Sequence, residues 1–360
     1  MGLPELKIGD LTSRLPIIQG GMGIGVSMSR LASAVADKGA VGVIAGAMTG
    51  IGESDITSNS TQANLRVLKR EIRKARQTTQ GVLGVNIMFA LMDYPALVNT
   101  ALDEGIDIIF AGAGLPLDLP GYLKNGHRTK LAPIVSSARA AKIICKRWLS
   151  RFDYLPDAFV VEGPAAGGHL GFKPDQLEDP DFALEKIVPE VIKTVNVFAN
   201  GRNRPIPVIA AGGIYTGADI HRFLQLGVAG VQMGTRFVAT HECDADDNFK
   251  QVYINARKED MIVIKSPVGM PGRAVRNKFI DELNAGKKKP FKCPFHCIKP
   301  CTRETSPYCI TLALESARRG RFRSGFAFAG KNAYRVDKVV SVSELIDELT
   351  DEFNRAEAQT

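Results

Sequence analysis

The sequence predicts an α/β protein: a (β/α)₈ barrel followed by a C-terminal appendage of helices and loops. Three observations carry this. Eight near-continuously apolar runs alternate with stretches of helical spacing between residue 16 and about residue 256. Glycine or polar residues follow the ends of the runs, where barrels build their sites. The chain has 360 residues, room for a barrel of roughly 250 residues and about a hundred more. An open doubly wound sheet is the competing arrangement of such units, and the count of eight favours the closed barrel.

The apolar runs are 16–19, 41–45, 84–88, 106–111, 132–136, 158–161, 208–211 and 230–233. Each reads as a parallel strand buried on both faces, which is why apolar residues do not alternate with polar ones. Between them, 27–38, 61–77, 94–103, 137–151, 183–197 and 217–226 have helical spacing, with Ser27 and Ser137 placed as N-caps. After residue 256 the alternation stops. Residues 1–256 are expected to form the barrel. Residues 257–360 are expected to be loops and a few helices, including 309–318 and 342–354, too poor in strands for a second sheet domain. That appendage is expected to cover the barrel mouth together with the loop 163–183.

Composition is that of an ordinary globular chain, 45% hydrophobic and 23% charged. No apolar run is long enough to span a bilayer, and residues 1–10 lack the basic-then-apolar pattern of a signal peptide, so a cytoplasmic location is expected. The formal net charge is +8. The excess gathers at Lys287, Lys288, Lys289, Lys292, Lys299 and Arg303, then Arg318, Arg319, Arg321 and Arg323. Such a cluster is a solvated face or a landing patch for a phosphorylated cofactor or an acidic carrier protein. No nucleic-acid-binding motif accompanies it.

The first strand ends in Gly20-Gly21-Met22-Gly23-Ile24-Gly25. The glycine spacing is wrong for a dinucleotide fingerprint, and no acidic residue follows the second strand. A tight turn that lets backbone at Gly21 and Met22 approach a flat ring uses these glycines better. Gly212-Gly213 ends the seventh strand and Gln232-Met233-Gly234-Thr235 the eighth. These are the two positions where barrels commonly hold a phosphate on backbone N–H groups. His169 follows Ala166-Gly167-Gly168 after the sixth strand, on the face where chemistry occurs, and imidazole exchanges protons near neutrality. Asn86 closes the third strand and should point into the mouth; a loop-capping hydrogen bond is its other reading. His127, His221, His241 and His296 have no such setting.

Together P-I-I-Q-G-G-M (16–22), G-V-N (84–86), A-A-G-G-H-L-G (165–171), P-V-I-A-A-G-G-I (207–214) and V-Q-M-G-T-R-F (231–237) resemble the nitronate monooxygenase family, also known as 2-nitropropane dioxygenases. That family is related to the FMN-dependent enoyl-acyl-carrier-protein reductases. The resemblance implies an FMN whose ring edge meets Gly21, Met22 and Asn86. Its phosphate would rest on Gly167, Gly212, Gly213, Gly234 and Thr235, with Ala166, Gln232 and Met233 completing the cofactor-binding set. His169 falls where the family keeps its active-site histidine, proposed to deprotonate nitroalkanes. The implied reaction is oxidation of alkyl nitronates with O₂ to a carbonyl compound and nitrite. The alternative is NAD(P)H-dependent reduction of an enoyl thioester or a quinone, with acyl carrier protein as partner. A small-molecule substrate and a candidate homodimer go with either, and a non-catalytic flavin or metal sensor is a third possibility. One departure is Lys331, in Phe328-Ala329-Gly330-Lys331, where the family usually has glutamine.

The larger departure is Cys293, Cys297, Cys301 and Cys309, four of the six cysteines within seventeen residues. This C-x₃-C-x₃-C-x₇-C run could bind an iron–sulfur cluster or zinc, since thiolates suit both. It matches no familiar zinc or ferredoxin spacing. Free thiols and a redox disulfide are the other readings. Pro294 and Pro300 argue for a loop there.

Overall fold

A computed structural model describes residues 2–124, 126–293, 295–302 and 304–359; Pro294 and Arg303 lie outside the described residues. The strands, in chain order, begin with a hairpin of β1 (Leu6–Ile8) and β2 (Leu11–Ser13). Then come β3 (Ile17–Gln19), β4 (Gly42–Ala45), β5 (Leu83–Met88), β6 (Ile108–Gly112), β7 (Lys130–Val135) and β8 (Phe159–Glu162). A two-residue strand, β9 (Gly168–His169), belongs to a separate sheet, and β10 (Val208–Ala211) and β11 (Gly230–Met233) complete the set of eight. The eight are parallel in the order β3-β11-β10-β8-β7-β6-β5-β4. The ring closes between its ends: Gln19 N donates to Val41 O and Val41 N to Ile17 O, both at 2.9 Å. The fold is a (β/α)₈ barrel.

Two-sided burial explains the continuous apolar runs. Ile18, Val43, Phe110, Val160 and Ile209 pack in one cluster inside the barrel, while Ile17, Ile44, Ile109, Val161 and Val231 pack outward in another. Leu6 and Ile8 join the inner cluster, so the first hairpin stoppers the N-terminal end. The outer cluster is completed by α1 (Ser29–Asp37), α2 (Ser60–Thr78), α3 (Tyr94–Asp103), α4 (Ala138–Phe152), α5 (Leu184–Gly201) and α6 (Gly217–Gln225). Every one of these strands and helices coincides with its expected span to within a few residues. Ser137 Oγ accepts from Ala140 N at 3.3 Å, the expected cap.

Ser27 does not cap α1. Its buried hydroxyl accepts from Met22 N at 2.8 Å and so shapes the first glycine turn. The helix is capped instead from a distant segment, by Asp244 Oδ2, which accepts from Met28 N at 2.8 Å and Leu31 N at 3.2 Å.

Beyond β11 come α7 (Thr235–Val238), α8 (Asp247–Ile254), β12 (Met261–Lys265), β13 (Pro271–Val275), α9 (Lys278–Asn284), α10 (Ile310–Arg318) and α11 (Val342–Glu357). The expectation of loops and helices after residue 256 misses the antiparallel hairpin β12–β13, whose strand β13 also pairs with β9. Strand β12 is mostly part-exposed or exposed and β13 mostly buried, and neither alternates apolar with polar residues, so no periodicity announces the hairpin. Helix α11 returns to the barrel: Val342, Leu345, Ile346, Leu349 and Phe353 belong to the outer core cluster. Among the described residues no helix is long and apolar enough to cross a membrane.

Candidate active site

A cavity of about 330 Å³ lies at the C-terminal ends of the barrel strands, within the size range of small-molecule and cofactor sites. The structure brings together on its walls Gly21, Met22, Asn86, Ala166, Gly167, His169, Gly212, Gly213, Gln232, Met233, Gly234 and Thr235. These are all twelve residues proposed for catalysis or cofactor binding from the sequence, drawn from the ends of β3, β5, β8, β10 and β11.

The turns need their glycines. Gly212 and Gly213 have φ of +97° and +84°, where a side chain would be strained. A Cβ on Gly167 would stand 2.5 Å from the Ala329 carbonyl carbon and 2.6 Å from Gly330 N. Residues 328–332 cross the mouth here and tie three loops together. Gly330 N donates to Thr235 Oγ1 at 3.2 Å, Lys331 N to Ala165 O at 3.0 Å, and Asn332 Nδ2 to Gly213 O at 2.6 Å. Lys331 turns its side chain away from the cavity, pairing with Glu178 at 2.5 Å. Among the described residues, no backbone carbonyl takes the N–H of Gly213 or Gly234.

His169 is positioned by two elements. As part of β9 it sits opposite Gly272 of β13, and its Nε2 is 2.8 Å from Ser266 Oγ. The Phe328 ring meets it edge-on, centroids 5.0 Å apart. Burial lowers its pKa to about 4, so the imidazole is neutral at pH 7. The loop before it is fixed from behind by Arg273, 2% exposed, whose guanidinium donates to Pro164 O and, at 3.0 Å, to Ala166 O. Glu162, at the end of β8, also lines the cavity, and burial pushes its carboxyl up to about 7.

Several residues of the site are not singled out in the sequence. Ser266 and Asn332 lie 97 and 119 residues from the groups they touch, and Phe328, noted above only as part of a late motif, meets the His169 ring. Glu162 stood in view in the Glu-Gly-Pro-Ala-Ala-Gly-Gly-His stretch. Asn86 combines both of its readings: it faces the cavity, and its Nδ2 donates to Phe110 O at 3.4 Å. Tyr253, of α8, also lines the cavity and donates from its hydroxyl to Phe328 O at 2.5 Å.

Cys293, Cys297, Cys301 and Cys309 do not enter this cavity. They line a second, smaller one of about 180 Å³ behind its wall. Among the described residues no three His, Cys, Asp or Glu side chains form a group suited to a single metal ion. Part of the basic cluster is neutralised locally. Lys287 and Lys289 pair with Glu282, and Arg318 and Arg319 with Glu315.

Comparison with known proteins agrees with this geometry. A family model described as nitronate monooxygenase matches residues 5–352. A (3aS,4S,5R,7aS)-5-hydroxy-7a-methyl-1-oxo-octahydro-1H-indene-4-carboxyl-CoA dehydrogenase of Mycobacterium tuberculosis is 29% identical over 76% of this chain, which spans 66% of that protein's length. A probable nitronate monooxygenase of Staphylococcus aureus is 25% identical over 76% of this chain and 79% of its own. The structure of FabK from Thermotoga maritima superposes with a TM-score of 0.73 at 27% identity, covering 96% of this chain and 94% of that one.

Proposed function

Because the chain belongs to the nitronate monooxygenase family, we propose that it is an FMN-dependent oxidoreductase that converts alkyl nitronates and O₂ to a carbonyl compound and nitrite. The observation that carries this is a half-buried histidine, held by Ser266 and the Phe328 ring, facing a glycine-lined cavity at the barrel mouth.

The cavity fits the cofactor. Backbone at Gly21 and Met22 lies beside Asn86, offering an edge for a flat heterocycle: a Cβ on Gly21 would collide with Asn86 Cβ. The amides of Gly213 and Gly234 and the hydroxyl of Thr235 form the donor set a phosphate needs. FMN, when bound, supplies the electron acceptor through which the nitronate is oxidised by O₂.

The protein's own residues do the rest. The outer wall, with Ile24, Met48, Leu91, Ile298, Ile310 and Leu314, is apolar and suits an alkyl chain. With Nε2 of His169 engaged by Ser266, Nδ1 is the nitrogen left to take the α-proton of a neutral nitroalkane. Arg273 holds the 163–169 loop so that the ring keeps its place.

A second reading is favoured by the FabK likeness and by the acyl-CoA substrate in the name of the Mycobacterium relative. Here the same cavity would serve NAD(P)H-dependent reduction of an enoyl thioester, and the lysines at 288, 292 and 299, which make no salt bridge among the described residues, would receive an anionic carrier. One anaerobic titration separates the two. Bleaching of the flavin bands by propyl-2-nitronate, with no response to NADPH, supports the monooxygenase. Rapid bleaching by NADPH transfers the assignment to the reductase. Purified protein with no flavin, and none taken up on adding FMN, sinks both.

A further inference from the structure

The four clustered cysteines come together in space. Cys293, Cys297, Cys301 and Cys309 all line the cavity of about 180 Å³, and none of them is disulfide-bonded. The first three lie on a loop pinned to the β5–α3 connection, where Met92 N donates to Cys297 O at 3.0 Å and Lys299 N to Ala90 O at 2.9 Å. Cys309 comes from the start of α10. Cys297 lies within electrostatic range of Cys293 and Cys309, and Cys309 of Cys293 and Cys301. We propose that these four cysteines ligate a [4Fe–4S] cluster in this cavity.

The arrangement separates this occupant from the others. A zinc ion held by sulfurs at 2.3 Å needs them roughly 3.8 Å apart around one point. Here the thiols stand around the walls of a volume instead, and no three of the described side chains converge on a point. Two disulfides would use the four in pairs, and none of the four is bonded to another. A cubane takes one thiolate at each of its four irons and needs the wider spacing. Met92, Phe291, Ile298 and Ile310 give it apolar walls, and Thr311 Oγ1, 3.2 Å from Cys297 Sγ, can donate to a ligating sulfur. Each cysteine loses its thiol proton to solvent on binding, and the resulting anionic cluster meets Lys299 on the cavity wall.

The position has a consequence that rests on the flavin reading above. Ile298, Ile310 and Thr311 line both cavities, so the cluster would stand one side chain away from the barrel-mouth site. Reduced by a one-electron carrier protein of the ferredoxin or flavodoxin type, it would pass single electrons to the flavin, a supply that the second, reductive reading uses and nitronate oxidation by O₂ does not need. Two such transfers, with two protons from solvent, complete one flavin reduction.

The test is iron and acid-labile sulfide content of the full chain purified without oxygen and reconstituted with ferrous iron and sulfide. FMN is measured in the same samples. About four irons and four sulfides per chain are expected, with a paramagnetic signal after dithionite reduction. Both should be lost in Cys297→Ser and in Cys309→Ser while FMN stays bound. A dithionite titration should consume about three electrons per chain in the wild type and about two in the variants. One zinc per chain, no metal uptake by the wild type, or a signal that survives in both variants overturns the proposal. The first two outcomes are read on the wild type, so a variant that folds poorly does not protect the proposal. Absence of FMN with iron and sulfide present would defeat the flavin reading alone.

Discussion

At the scale of single residues, two titratable groups share the cavity and are displaced in opposite directions. His169 is lowered to about 4 and Glu162 raised to about 7, each by burial that disfavours its charged form. A base must be unprotonated to work, so turnover of a neutral nitroalkane should hold down to about pH 4 before His169 protonates and the rate falls. A profile of kcat/KM against pH whose acid limb sits near the ordinary histidine value of 6.5 would show the ring is not so buried. His169→Asn should cost about a hundredfold or more with nitroalkane, and much less with preformed nitronate, which needs no deprotonation. Equal losses with both would remove the histidine from the proton-transfer step. Glu162 makes a stability prediction. Its folded pKa lies above the unfolded one, so the folded state loses stability as pH rises from about 4.5 to about 7. Glu162→Gln should therefore raise the melting temperature at pH 8 and leave it unchanged at pH 4. The glycine turns after the first, seventh and eighth runs were legible in the sequence because each follows directly on an apolar run, and His169 because it follows a glycine pair in the loop after the sixth. The displaced pKa values were not, since burial is a property of the assembled cavity.

At the scale of elements, legibility followed unbroken apolar runs. The barrel strands are apolar on both faces and stand out as such runs, whereas β12 carries Lys265 and an exposed Val263, and β13, though largely buried, is broken by Gly272 and Arg273. The partner that β13 shares with the site, β9, lies about a hundred residues earlier, so no local pattern joins them. The cap of α1 fails for the same reason. Ser27 is the right residue type in the right place, but its hydroxyl is taken by Met22, and a carboxylate from residue 244 supplies the cap. Asp244→Ala should destabilise the protein by about 0.5–2 kcal/mol, the usual range for a lost N-cap. Asp244→Asn, which keeps an acceptor oxygen, should lose less, because burial already raises the Asp244 pKa and disfavours the carboxylate charge. Urea melts of the two variants check the order; an Asn variant no better than Ala would mean the charge itself matters.

At the scale of the whole molecule, the C-terminal helix ties the barrel's phosphate-side loops to the far end of the chain. Glu352 of α11 accepts from Gly217 N at 2.6 Å at the start of α6, and Glu348 pairs with Arg236 of α7 at 2.9 Å. Those two helices carry the turns at Gly213 and Gly234 that the proposed FMN phosphate would occupy. The contact is close enough to exclude a methyl group, since a Cβ on Gly217 would overlap the Leu349 carbonyl and Phe353 N. Alanine there forces α11 away from α6, an overpacking cost of about 1–3 kcal/mol. The effect should not stop at stability. Loosening α11 frees the start of α6 and the Arg236 anchor, so Gly217→Ala should release FMN on gel filtration more readily than the wild type. The site's own residues would all be intact. A variant that melts earlier yet holds its flavin as tightly would confine α11 to packing. A variant that loses flavin in proportion would make residues 342–357 part of the binding apparatus, although none of them lines the cavity.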